Sequence, residues 1–267
     1  MAGSADSRHT LYNLYLSFCR MMVFSFMKKL LSAFLGLLLL TSASAQTITP
    51  PTVAARTWLL LDASSQQVLA SHEADARIEP ASLTKIMTVY LTFSAIRDKR
   101  LDLNQTINVS VDAWKVDSGS SKMFIEPDTA VRVTDLLHGL IVQSGNDAAV
   151  TLAEAVAGDQ AAFTVLMNRQ AEQMGLKNTR FANPHGLPDP NNYSTARDLS
   201  VLASRLISDF PDFYKIYSVK SFTYNKITQS NRNRLLWLDE TVDGMKTGHT
   251  QAAGYCLIAS AIRPNGN

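Results

Sequence analysis

The spacing of apolar residues changes several times along the chain, and each change marks an element. Short apolar-rich stretches at 57–62 and 67–71 flank Ala63-Ser64-Ser65-Gln66, the pattern of a hairpin. After Pro80 the period lengthens. Ile86, Val89, Tyr90 and Phe93 recur at helical spacing and predict a helix from Ser82 to about Ile96. The same reasoning predicts helices over 134–143, 147–156, 160–174 and 195–207. Gly175 serves as the C-cap of the third of these, and Ser194 as the N-cap of the last. Strands are predicted over 221–228 and 254–262. Strands at both ends with helices between them indicate an α+β domain, a sheet covered by a helical region. No internal repeat or low-complexity linker interrupts it.

The ends of the chain read differently. Residues 27–45 have the layout of a secretory signal: Met27-Lys28-Lys29, an apolar run from Leu30 to Leu40, and Ala43-Ser44-Ala45 before Gln46. A transmembrane helix needs roughly 20 apolar residues, about twice this run. Residues 1–26 read as an upstream extension with Met27 as the biological start. Cys19 has bulky Phe18 before it, which argues against lipidation. At the other end, the apolar strand runs into Pro264-Asn265-Gly266-Asn267. Asn-Gly is a tight-hairpin pair that calls for a returning strand, so the domain formed by residues 46–267 is expected to be incomplete at its C-terminus.

Charge and cysteine content narrow the partners. Residues 1–45 hold four basic side chains (Arg8, Arg20, Lys28, Lys29) and one acid (Asp6), leaving 21 basic against 22 acidic residues in the exported part. With no polybasic patch, nucleic acid is not an expected partner. Cys256, between Tyr255 and Leu257, reads as a buried strand thiol without a disulfide partner. No His/Cys cluster has metal-ligand spacing, and no cofactor is expected.

Three short strings carry the chemistry: Ser82-Leu83-Thr84-Lys85, Ser144-Gly145-Asn146 and Lys246-Thr247-Gly248, separated by 62 and 102 residues. Each is weak alone. A second Ser-x-x-Lys, Ser25-Phe26-Met27-Lys28, is accidental, whereas Ser-x-Asn and Lys-Thr-Gly each occur once. A serine hydroxyl must lose its proton as it attacks. Lys85, three residues on, lies on the same helical face and can accept that proton only with a depressed pKa. Burial or a nearby cation such as Lys246 would supply the depression. Backbone N–H groups at the helix start suit a developing oxyanion. The bland alternatives are a helix cap with a solvated lysine, a Ser-Gly-Asn turn with Asn146 or Asp147 as cap, and a surface turn at Lys246. Only the order of the three together sets these aside. In that setting a loop between helices projects Ser144, Gly145 permits a tight backbone, Asn146 holds Lys85 or a substrate amide, and Gly248 lets an extended peptide approach a strand edge.

With Pro80-Ala81-Ser82-Leu83-Thr84-Lys85-Ile86-Met87, His185-Gly186-Leu187, Ser194-Thr195-Ala196-Arg197-Asp198-Leu199, Asn231-Arg232-Asn233 and Val242–Thr250, the chain resembles low-molecular-mass penicillin-binding proteins, the serine-type D-alanyl-D-alanine carboxypeptidases. The resemblance implies a penicillin-binding-protein/β-lactamase-like transpeptidase fold with a helical subdomain. It implies that Ser82 is acylated by a peptidoglycan stem peptide, with Lys85 as base and Ser144 and Lys246 as relay. Thr247 would bind the terminal carboxylate, with Arg232, and the backbone N–H groups of Ser82 and His249 would form the oxyanion hole. Water would release the peptide shortened by D-alanine, and β-lactams would acylate Ser82 as substrate mimics. It also implies a periplasmic location, peripheral to the inner membrane through a C-terminal anchor missing from this sequence.

The rival readings are a D,D-endopeptidase, a serine β-lactamase, and a non-catalytic penicillin-binding wall module. A class A lactamase uses a glutamate-activated water. Glu154 and Glu172 fall within predicted helices, and Glu240 just before the Lys-Thr-Gly strand. For the five histidines a structural role is the default, with His249 contributing its backbone only.

Overall fold

A computed structural model describes residues 18, 20–29, 52–117 and 119–263. The chain divides into two compact units, Met1–Thr52 and Val53–Asn267. In the first, residues 18 and 20–29 are helical. The apolar run and cleavage site of the expected signal, Cys19 and the Asn265-Gly266 turn all lie outside the described residues.

The second unit opens with β1 (Trp58–Asp62) and β2 (Gln67–His72), an antiparallel hairpin as its alternation predicts. A 3-10 turn at Ala81–Thr84 leads into α1 (Lys85–Arg97). Residues 85–95 of this helix are all buried, so it runs through the core instead of lying on it. Its polar members are satisfied internally, Thr92 donating to the Thr88 carbonyl at 2.8 Å and Thr88 to that of Pro184 at 2.6 Å. β3 (Thr106–Asn108), α2 (Val111–Lys115) and β4 (Ala130–Arg132) follow, β3 pairing antiparallel with β4. None of these three had a periodic signal, because each spans five residues or fewer.

Helices α3 (Val133–Val142), α4 (Asn146–Ala157) and α5 (Gln160–Gln173) then pack in sequence, within one or two residues of the predicted bounds. The α4 stretch Asn146–Ala153 is wholly buried and rich in alanine, which lets α4 lie close to α1 and α3. Helix α6 (Ala196–Asp209) buries Leu199, Leu202, Ala203 and Leu206 on one face. Its N-cap is Thr195, whose hydroxyl accepts from the Asp198 N–H at 3.0 Å; the expected cap, Ser194, bridges to Ile78 instead.

The rest is short helices and hairpins: α7 (Pro211–Tyr214), β5 (Ser221–Tyr224), β6 (Ile227–Ser230), α8 (Leu235–Leu238), β7 (Val242–Thr250) and β8 (Gly254–Ala261). The single strand expected over 221–228 is two strands, turned at Asn225 and Lys226, both with φ near +45 to +66°. β7 and β8 form the longest hairpin, in register from Thr250↔Gly254 to Gly244↔Ser260, with an irregularity before Val242↔Ala261. The domain is α+β, as expected, but its strands pair two by two among the described residues. Cys256 lies in β8 and is half-buried, not fully buried as the apolar neighbours implied.

Candidate active site

Ser82 lies in the 3-10 turn, one residue after Ala81, whose φ of +46° is unusual for a side chain bearing Cβ. Pro80 and this kink end the incoming chain abruptly and start the buried helix. The turn replaces the first α-helical turn expected at Ser82. Lys85 is still three residues on, and its Nζ lies 2.9 Å from Ser82 Oγ. Nζ also donates to the His185 carbonyl at 2.6 Å.

Lys85 is fully buried, and Ser82 half-buried. Burial disfavours the ammonium, and the positive charges of Lys246 and Arg232 add to it, so the Lys85 pKa falls well below that of an exposed lysine. The carboxylate of Asp147 opposes the shift without cancelling it. The shift is in the direction that a base for Ser82 requires.

The second string forms the link between α3 and α4. Ser144 itself holds the left-handed conformation, φ +64°, while Gly145 has φ −57°. Gly145 is needed for space: a Cβ there would come within 2.8 Å of an Asp147 carboxylate oxygen. Asn146 begins α4 without capping it, and its N–H donates to the Ser121 carbonyl at 2.8 Å. Its Oδ1 is buried with no partner, a free acceptor within the site.

The third string lies within β7, whose Gly248 packs against the Ser82 turn. A Cβ on Gly248 would sit 3.1 Å from the Ser82 amide nitrogen, so glycine lets the strand reach the nucleophile's backbone. Lys246 is 2% exposed and donates to Ser144 Oγ at 3.0 Å and to the Thr247 carbonyl at 2.8 Å. Burial, with the Arg232 charge, lowers its pKa to about 7. Thr247 is half-buried; the His249 ring is exposed and lies tilted against Tyr255. Arg232 is exposed, between two buried asparagines. Asn231 donates to the Val219 carbonyl at 3.0 Å and Asn233 to that of Gly244 at 2.8 Å, tying the segment to β7.

The structure therefore brings together Ser82, Lys85, Ser144, Asn146 and Lys246 from three elements, with Thr247, Gly248, His249 and Arg232 bordering them. Two contributors have no role assigned to them by the sequence. His185 supplies a backbone carbonyl to Lys85, and backbone atoms leave no mark on residue type. Asp147, 1% exposed, accepts from the Met123, Phe124 and Ala148 N–H groups at 2.9 Å each. Its clue was only its place after Asn146. Glu154 accepts from the Ser110 hydroxyl at 3.0 Å and Glu240 is exposed; no hydrogen bond joins either, or Glu172, to the site. Among the described residues no group of three or more His, Cys, Asp or Glu is placed to hold a metal ion.

Comparison with known proteins adds an independent line. A family model described as D-alanyl-D-alanine carboxypeptidase matches residues 44–267. The chain is 50% identical over 238 residues to D-alanyl-D-alanine carboxypeptidase DacC of Escherichia coli strain K12, covering 87% of this chain and 60% of that protein. Penicillin binding protein 5 from Haemophilus influenzae superposes with a TM-score of 0.80 at 48% identity, over 82% of this chain and 64% of that one. Penicillin-Binding Protein D2 from Listeria monocytogenes, in its ampicillin-bound form, does so with a TM-score of 0.72 at 29% identity, over 81% of this chain and 88% of that one. The penicillin-binding-protein fold expected from the motifs is the fold observed. The chain spans about 60% of the length of the curated relative.

Proposed function

The chain belongs to the D-alanyl-D-alanine carboxypeptidase family, and on that premise we propose that it removes the terminal D-alanine of peptidoglycan stem peptides through an acyl-enzyme on Ser82. The observation that carries this reading is the 2.9 Å contact between Ser82 Oγ and a Lys85 amine whose pKa is lowered by complete burial. As Ser82 Oγ bonds to the penultimate D-alanine carbonyl carbon, its proton passes to Lys85. The N–H groups of Ser82 and His249 take the developing oxyanion. The C–N bond then breaks, and Lys85 gives its proton up to the leaving amine through Ser144, whose hydroxyl lies 3.0 Å from Lys246. Thr247 and Arg232 hold the terminal carboxylate, and Asn146 the substrate amide. Water attacks the ester and gives a proton to Lys85, which passes it to Ser82 Oγ as the C–O bond breaks and the shortened peptide leaves.

A β-lactam presents a strained amide to the same serine, and the ampicillin complex of the Listeria relative supports the same capture here. The signal-like stretch at 27–45 supports export, and peptidoglycan as substrate supports a periplasmic site of action. D-alanine release from a pentapeptide tests the reading. The unaltered chain releases D-alanine and Ser82→Ala does not; undiminished release by Ser82→Ala refutes it.

A further inference from the structure

Residues 183–187 belong to none of the three strings, yet they pack against both ends of the Ser82–Lys85 pair. On one side the His185 carbonyl accepts from Lys85 Nζ at 2.6 Å. On the other, Gly186 (φ +84°) lies so close to the Ala81 carbonyl that a Cβ would overlap it. Two side chains fix this segment. Asn183 Oδ1 accepts from the Gly186 N–H at 2.6 Å and the His185 N–H at 3.3 Å, while its Nδ2 donates to the Leu187 carbonyl at 3.1 Å. Thr88, one turn beyond Lys85 on α1, donates its hydroxyl to the Pro184 carbonyl at 2.6 Å.

A neutral lysine amine has two hydrogens and one lone pair. Holding one hydrogen on a fixed carbonyl restricts where the lone pair points, and Ser82 Oγ is the neighbour 2.9 Å away. The position of a single backbone oxygen thus governs whether the amine presents its lone pair to the serine proton. We propose that Asn183 is a positioning residue for this site. By bonding three backbone groups of 185–187 it places the His185 carbonyl that orients Lys85 toward Ser82. All three of its amide bonds are local and its side chain is half-buried, so its loss loosens this loop without opening the core.

The inference rests on the reading of Lys85 as the base for Ser82, and its test separates the two. Reaction with a fluorescent penicillin yields a non-covalent dissociation constant and a first-order acylation rate. A displacement on the order of 1 Å at a reacting group can cost about 10²-fold. Asn183→Ala is expected to slow acylation about 10- to 100-fold with the dissociation constant unchanged within about twofold. Asn183→Asp keeps the acceptor and recovers most of the rate. Thr88→Val, which removes the hydroxyl bonded to the Pro184 carbonyl, slows acylation in the same sense, and it carries the test alone if Asn183→Ala does not fold. A wild-type acylation rate in the foldable variants overturns the inference, as does an equal loss in binding and rate. Labelling of Ser82→Ala instead overturns the parent reading.

Discussion

Lys85 and Lys246 are buried and, among the described residues, make no ion pair, and that circumstance gives them different chemistry from a surface lysine. The active form has Lys85 neutral, so acylation is lost as pH falls through its lowered pKa. Arg232 contributes to that lowering from an exposed position. Arg232→Gln raises the Lys85 pKa, so the acid limb of the acylation profile moves to higher pH; an unmoved limb contradicts the assignment. Stability has its own sign. Lys246 folds with a pKa of about 7 against an ordinary 10.5, so between these values the unfolded chain binds the extra proton. Stability therefore rises with pH across that window and is lost as pH falls toward 7. Melting temperature followed from pH 7 to 10 is expected to climb, and to climb less in Lys246→Met. The same variant gains on the order of 1 kcal/mol at pH 7 by removing a buried cation, at the cost of activity. At this scale the sequence was largely legible. Ser82, Lys85, Ser144, Asn146 and Lys246 were identified by type and spacing. The left-handed φ at Ser144 and the His185 carbonyl on Lys85 left no trace in residue type.

Long elements with a steady period were read to within a residue or two, because α3, α4, α5 and α6 each bury a face over ten residues or more. The misses share a cause: local geometry overrode the period. Ala81–Thr84 tightens to a 3-10 turn where Ala81 adopts positive φ, and β5 and β6 reverse at Asn225-Lys226, a pair lacking the glycine that flags such turns. That second case makes a prediction. Lys226 holds φ +66° at an exposed turn, so Lys226→Gly relieves the left-handed conformation and stabilises the domain by about 1 kcal/mol, less what glycine adds to unfolded-state entropy. Denaturant unfolding shows a higher midpoint with the slope unchanged; a lower midpoint contradicts the turn geometry.

Across the Val53–Asn267 unit, the site exists only because distant stretches converge. Ser82 and Lys246 are separated by much of the domain in sequence, yet Gly248 packs on the Ser82 amide and Lys246 reaches Ser144. No local signal predicts such convergence; the ordered trio of strings stood in for it. The central claim is that Ser82 becomes the acyl carrier because this convergence places a neutral Lys85 beside it. Mass spectrometry of proteolytic peptides after incubation with benzylpenicillin tests it most directly. The account predicts one penicilloyl group on the peptide containing Ser82, and none on that peptide or any other when Lys85→Met protein is treated for the same time. An adduct on another residue, or unchanged labelling without Lys85, contradicts it.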